Sequence, residues 1–274
     1  MSTVLIKTLG KKIIKHARPL VEVMKIPLGR LQYISPVRPR FRGAFDCRED
    51  AVAAIPSHLS VGYDNDNVVD INYDKMCRLM PWDYPVMYWL QHLLPRVKRI
   101  LDAGGHMGTK FRAFGRYLDL TGGVEWKIYD VPAVVRAGRK RAFEDGLTEL
   151  SFVDDLSGIP CPDLFLASGL LQYLDIPFSD LLGKLPSLPS HLLLNKVAMR
   201  DGDTIVTLEN FGVALVPYQM RNREAFLAEI KGMGYRIEDE WLIPSLSHVI
   251  NTHPEFGRSQ SAGFYMTRAE KGQD

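Results

Sequence analysis

Between residues 98 and 197 five short apolar segments, 98–102, 124–129, 150–153, 163–167 and 191–197, alternate with stretches whose composition suits helices. Strands separated by helix-length connections cannot close as hairpins, so this rhythm predicts a parallel sheet with helical crossovers. Two further strand-like segments, 236–242 and 262–268, break it. The stretch between Trp241 and Ala262 holds Pro244, Pro254 and Gly257 and no amphipathic helix, so the last pair is expected to close antiparallel. The expected fold class is α/β: a mostly parallel seven-stranded sheet that ends in an antiparallel hairpin, preceded by an N-terminal helical extension. Residues 1–95 are expected to form a basic helical arm and a lid or dimerisation segment, and residues 96–274 the ligand-binding domain.

The arm is set apart by charge. Residues 1–42 carry ten Lys and Arg against the single acid Glu22, a balance of +9. The whole chain sums to +2, with 34 bases and 32 acids, so the other 24 bases and 31 acids leave the body at −7. A net acidic body excludes polyanion binding by bulk charge, and no nucleic-acid partner is expected. Residues 2–18 read as an amphipathic helix with Leu5, Leu9 and Ile13 on one face and Lys7, Lys11, Lys15 and Arg18 on the other, ended by Pro19. Such a helix suits packing on the body or on a twin subunit in a homodimer, or a peripheral contact with anionic lipid. Residues 27–45 are rich in Pro, Arg and Gly and read as irregular, whereas 83–95 read as a buried helix ended by Pro95. Cys47, Cys77 and Cys161 are odd in number and widely spaced, which points away from a disulfide framework or a metal site. No apolar run approaches the ~18 residues of a membrane span. Lys7 and Lys11 interrupt any signal-peptide core, so a cytoplasmic location is expected.

The densest chemical signal is KRILDAGGHMGTKF, residues 98–111, in which a strand ends at Asp102 and Gly104, Gly105 and Gly108 lead into a helix. Glycines there let a ligand approach the backbone and leave helix N-terminal amides open. A carboxylate at the strand tip suits an ammonium group, such as the methionine end of S-adenosylmethionine. Ala103-x-Gly105-x-x-Gly108 also matches a degenerate dinucleotide fingerprint, but Asp102 would face and repel a pyrophosphate. The next strand ends at Asp130, 22 residues after Gly108, where a ribose-binding acid is expected, with Val131 beside it and Pro132 opening the next helix. The third strand ends in Asp154-Asp155-Leu156. Adjacent residues on a strand point in opposite directions, so one of the two acids, Asp155 ahead of Asp154, is the candidate acceptor for an adenine amino group. The fourth strand ends at Ala167-Ser168-Gly169, small residues where a ligand can cross, with Ser168 facing it.

Together the glycine loop, the DVP element, the DD-L element and LASGLLQYL resemble class I S-adenosylmethionine-dependent methyltransferases, and a terminal antiparallel hairpin is their strand order. More narrowly, FRGAF (41–45), GYD (62–64), LDAGGHMG, TLENFG, VPYQMRNR and GYRIEDEW resemble a methyltransferase family associated with polysaccharide or specialised-metabolite gene clusters. The resemblance spans about residues 41–268. It implies S-adenosylmethionine as cofactor, with Asp102, Gly104, Gly105 and Gly108 at the methionine end, Asp130 at ribose and Asp155 or Asp154 at adenine. The family has glycine where this chain has His106.

An alcohol or phenol acceptor also needs a base that titrates near working pH. His248 and His253, on the loop before the last strand, are the candidates because histidine titrates nearest neutrality. Gln172, Tyr173, Glu209, Asn210, Tyr218 and Tyr63 are the candidate substrate contacts, Glu209 because an acid in an apolar run needs a partner. The expected activity is methyl transfer to a small molecule, O-methylation ahead of N or C. A catalytically silent methyltransferase-like scaffold and, further off, an NAD(P)-dependent oxidoreductase are the alternatives.

Overall fold

Every apolar segment of the alternating stretch forms a strand in the computed structural model, which describes residues 24–33, 39–57, 59–61, 70, 73–120, 122–212 and 214–268. In chain order the strands are β1 (Phe41–Phe45), β2 (Ser60–Val61), β3 (Arg99–Ala103), β4 (Glu125–Tyr129), β5 (Leu150–Val153), β6 (Leu164–Ser168), β7 (His191–Arg200), β8 (Ile205–Asn210), β9 (Ala214–Asn222), β10 (Tyr235–Leu242) and β11 (Gln260–Arg268). The labelled helices are α1 (Arg48–Ala53), α2 (Tyr73–Met76), α3 (Tyr84–Leu93), α4 (Thr109–Phe114), α5 (Pro132–Glu144), α6 (Phe178–Gly183) and α7 (Arg223–Gly232).

The main sheet runs β5-β4-β3-β6-β7-β11-β10. Its first five strands are parallel: Ile100 sits between Trp126 and Leu164, and Leu166 pairs with Leu193. β11 runs antiparallel to both β7 and β10, so the sheet ends in the expected antiparallel pair.

Buried strands of a parallel sheet point successive side chains into opposite helical layers. Ile100, Trp126, Leu164, Leu166 and Leu193 enter one core with Val86, Leu90 and Leu93 of α3 and Phe111 and Phe114 of α4. Leu101, Phe165, Leu192 and Leu194 enter the other with Phe178 and Leu182 of α6 and Phe226 and Ile230 of α7. The helix expected over 83–95 therefore covers one face of the sheet.

Sequence patterning did not anticipate the β8–β9 hairpin. It pairs antiparallel, takes β1 on its other edge and joins the main sheet where Met199 and Arg200 meet Arg221 and Asn222. Its turn rests on Gly212 at φ +84°, whose amide donates to the Asn210 side chain at 2.8 Å. Residues 24–31 are helical and lie on the loop before β11, where Arg30 donates to the Thr252 carbonyl and to Glu255. The amphipathic helix expected over 2–18 and the candidate contact Tyr63 fall outside the described residues.

Candidate active site at the C-terminal edge of the sheet

β3 delivers Asp102 to the edge of the sheet, and the chain turns through Gly104 at φ +69° and Gly108 at φ +76° before α4 begins. Glycine is obligatory at two points of this turn. A Cβ on Gly105 would lie 2.6 Å from the Asp102 carboxylate, and one on Gly108 2.7 Å from Leu150. His106 is also left-handed, at φ +56°. Left-handed backbone favours glycine, and histidine is among the other residues that enter this region most readily.

Asp102 is buried. One carboxylate oxygen accepts from the Trp126 indole at 3.2 Å, and the other is buried without a hydrogen-bond partner. Burial pushes its pKa up to about 7, against the opposing pull of the Trp126 hydrogen bond and the nearby Lys110 charge. Asp130 accepts from the amides of His106 at 2.9 Å and Val131 at 2.8 Å, which ties the glycine loop to the start of α5. Asp154 and Asp155 are both exposed at the tip of β5. Asp155 takes the Ser157 amide at 3.0 Å and the Ser157 hydroxyl, contacts that lower its pKa, while Leu156 turns into the core.

Across the next two strand tips, Ser168 takes a hydrogen bond from the Asn195 side-chain amide at 3.3 Å. Asn195 also donates to the Trp82 carbonyl and accepts from Trp241, which locks the middle of β7 to the segment before α3. Gly169, at φ +92°, leaves the space that Lys196 crosses: a Cβ there would lie 2.9 Å from Nζ and 3.5 Å from Gln172 Nε2. Sequence reasoning missed Lys196, although a cation inside the apolar run LLLNKVAM was a signal. It also missed the buried ion pair in which Lys110 of α4 meets Asp83 at 2.8 Å.

Four of the candidate acceptor-side residues come together beside this edge. Glu209 of β8 is buried, accepts from Arg40 at 2.8 and 3.0 Å, and takes the Tyr173 hydroxyl at 2.7 Å. Tyr173 packs edge-on against Tyr218, Tyr218 against Phe41, and the Phe41 ring lies 4.8 Å from that of His248. Burial, followed by the charges of Arg40 and Arg258, brings His248 down to about 4. His253 is placed elsewhere, hydrogen-bonded to Thr252 at 2.9 Å and edge-on to Tyr33. Among the described residues, no group of three or more His, Cys, Asp or Glu is placed to hold a metal ion.

No protein-family model and no curated protein matches the sequence. Solved structures do match in three dimensions. An O-methyltransferase family protein from Burkholderia thailandensis is 15% identical with a TM-score of 0.51, the match covering 92% of this chain and 70% of that one. The fold is that of Rossmann-like methyltransferases. OxaC in complex with S-adenosylhomocysteine and oxaline is 12% identical with a TM-score of 0.50, over 74% of this chain and 50% of that one. The 1,6-didemethyltoxoflavin-N1-methyltransferase of Burkholderia thailandensis, bound to 1,6-didemethyltoxoflavin and S-adenosylhomocysteine, is 16% identical with a TM-score of 0.48. That match covers 73% of this chain and 82% of the other.

Proposed function

We propose that the protein is an S-adenosylmethionine-dependent methyltransferase acting on a small molecule, with residues 96–274 as its catalytic domain. The observation that carries this reading is the unpartnered, buried oxygen of Asp102 beneath a glycine turn that admits no side chain at Gly105. A carboxylate held in that state favours a ligand ammonium group, because pairing relieves the desolvation of the charged form. OxaC, which shares the fold, was crystallised with S-adenosylhomocysteine, and this supports the same assignment. The cofactor supplies a methyl group on a sulfonium, which is displaced in line by the acceptor.

In this reading Asp102, Gly104, Gly105 and Gly108 hold the methionine end and Asp130 the ribose. Val131 lines the adenosine side, whereas Leu156 is packed into the core. Asp154 takes precedence over Asp155 for the adenine amino group, because the Ser157 contacts already occupy the Asp155 carboxylate. Ser168, Gln172, Tyr173, Glu209 and Tyr218 face the acceptor, and an oxygen nucleophile is favoured over nitrogen or carbon. Neither histidine is assigned as the base. His248, at about 4, is too weak near neutral pH, and His253 sits on the loop that holds Arg30. We further propose that the basic residues before position 24 form a peripheral contact with anionic lipid.

Isothermal titration with S-adenosylhomocysteine tests the cofactor assignment. Binding is expected, and Asp130→Ala should weaken it at least about tenfold, the loss of one to two hydrogen bonds to a charged group. Absence of binding would leave a methyltransferase-like scaffold.

A further inference from the structure

Lys196 lies within β7, yet its backbone is left-handed at φ +60°. At this point the pairing with β11 slips by one residue, from Ala262 opposite Val197 to Phe264 opposite Leu194. An extra residue in one strand of an antiparallel pair is a β-bulge, a device that re-aims a side chain. Left-handed backbone is unfavourable for lysine and persists only where the surroundings impose it. The bulge sends the Lys196 side chain over Gly169 at the tip of β6, the neighbour of β3 and its glycine loop. A Cβ on Gly104 would in turn meet Leu170 at 3.0 Å, so the segment beyond the β6 tip packs on the glycine loop while Lys196 reaches it from the middle of β7.

We propose that Lys196 is the proton acceptor for the methyl acceptor, an assignment that rests on the methyltransferase reading above. The charged groups that act on Nζ are Lys110 from α4, Asp83 from the turn before α3 and Asp102 from β3, and Gly169 beyond β6 lies against it. Asp83 is already committed to Lys110, and no carboxylate among the described residues pairs with Lys196. Burial, then the like charge of Lys110, lowers its pKa to about 8. A sulfonium held nearby adds a second positive charge and drives the amine further toward its neutral, proton-accepting form.

The step balances. The acceptor's O–H bond breaks, its electron pair forms the new O–C bond, and the proton goes to the Lys196 amine. The S–C bond breaks with its electron pair left on sulfur, so the positive charge passes from sulfonium to ammonium.

The test follows the charge difference between the two cofactor forms. Uniformly 13C-labelled protein is titrated by NMR with the Lys196 Cε resonance assigned through Lys196→Arg, in the free form and saturated with S-adenosylhomocysteine or with its cationic amine analogue sinefungin. Lys196 should titrate about two pH units below the ordinary lysines in the free protein. Sinefungin should move its midpoint about one to two pH units below that of the S-adenosylhomocysteine complex, as a charge a few ångströms away requires. Equal midpoints in the two complexes, or a Lys196 that titrates with the surface lysines, would overturn the assignment while leaving cofactor binding intact. Failure of both nucleosides to bind would remove the methyltransferase reading itself, and the Lys196 role with it. Lys196→Gln should keep the affinity for S-adenosylhomocysteine within about twofold, because that ligand presents no sulfonium charge. A loss of binding in this folded variant would make Lys196 a cofactor anchor and overturn its role as base.

Discussion

At the scale of single residues, the proposed pairing of Asp102 with a ligand ammonium group is a proton-linked event. Its folded pKa of about 7 lies above that of an unfolded carboxyl, so between the two values the folded protein holds a proton the unfolded chain has lost. That contribution to stability is complete at acid pH and is lost as pH rises through about 7. An ammonium ligand selects the ionised form. S-adenosylhomocysteine should therefore release about one proton on binding at pH 6 and bind more tightly as pH rises to about 7, levelling off above it. Calorimetry at pH 6 in two buffers of different ionisation enthalpy measures that proton, and Asp102→Asn should abolish it.

The glycine turn yields a second expectation at the same scale. His106→Gly should raise stability by about 0.5–1 kcal/mol by relieving a left-handed backbone. Gly108→Ala should lower it by about 1–3 kcal/mol, since its Cβ meets Leu150 as well. Urea denaturation of the two variants measures both changes. Spacing alone made these positions legible, because a tight strand-to-helix turn needs glycine in a fixed register. The Asp155 contact to Ser157 was less legible: the two candidate acids differ only in which one the local turn recruits.

At the scale of elements, the seven strands of the main sheet were legible because burial on both faces forces short, continuous apolar runs. The β8–β9 hairpin has equally apolar strands but no helical crossover to mark it, and its polar residues Thr207 and Glu209 are buried through tertiary partners, the Arg42 carbonyl, Arg40 and Tyr173. Buried charges were illegible for the same reason. Asp83 and Lys110 meet across 27 residues, where one is fully buried and the other nearly so, and together they fasten α4 to the entry of α3. Lys110→Met alone should cost about 3–5 kcal/mol in urea denaturation, because it strands a carboxylate in the core. The double variant Asp83→Asn/Lys110→Met should recover a good part of that loss. A cost for the double equal to the sum of the singles would mean that the pair does not act as a unit.

At the scale of the whole molecule, near-neutrality arises from opposed segments, +9 over residues 1–42 and −7 over residues 43–274. The structure already uses part of the basic excess internally: Arg30 is bound to Glu255 and Arg40 to Glu209. Five cations, Lys7, Lys11, Lys12, Lys15 and Arg18, precede the described residues and are the ones proposed to meet lipid. Such a contact is governed by screening, whereas the pairing of a ligand with buried Asp102 is screened far less. The full-length protein should therefore co-sediment with phosphatidylserine vesicles at about 50 mM salt and lose that association by about 500 mM, where the Debye length falls to a few ångströms. Across the same range the affinity for S-adenosylhomocysteine should change by less than about threefold. Vesicle binding that survives high salt would place the contact on apolar residues, and its absence at low salt would assign the basic arm to protein contacts instead. Parallel loss of both affinities would show that the arm and the cleft are coupled, in contrast to the separation of charge along the chain.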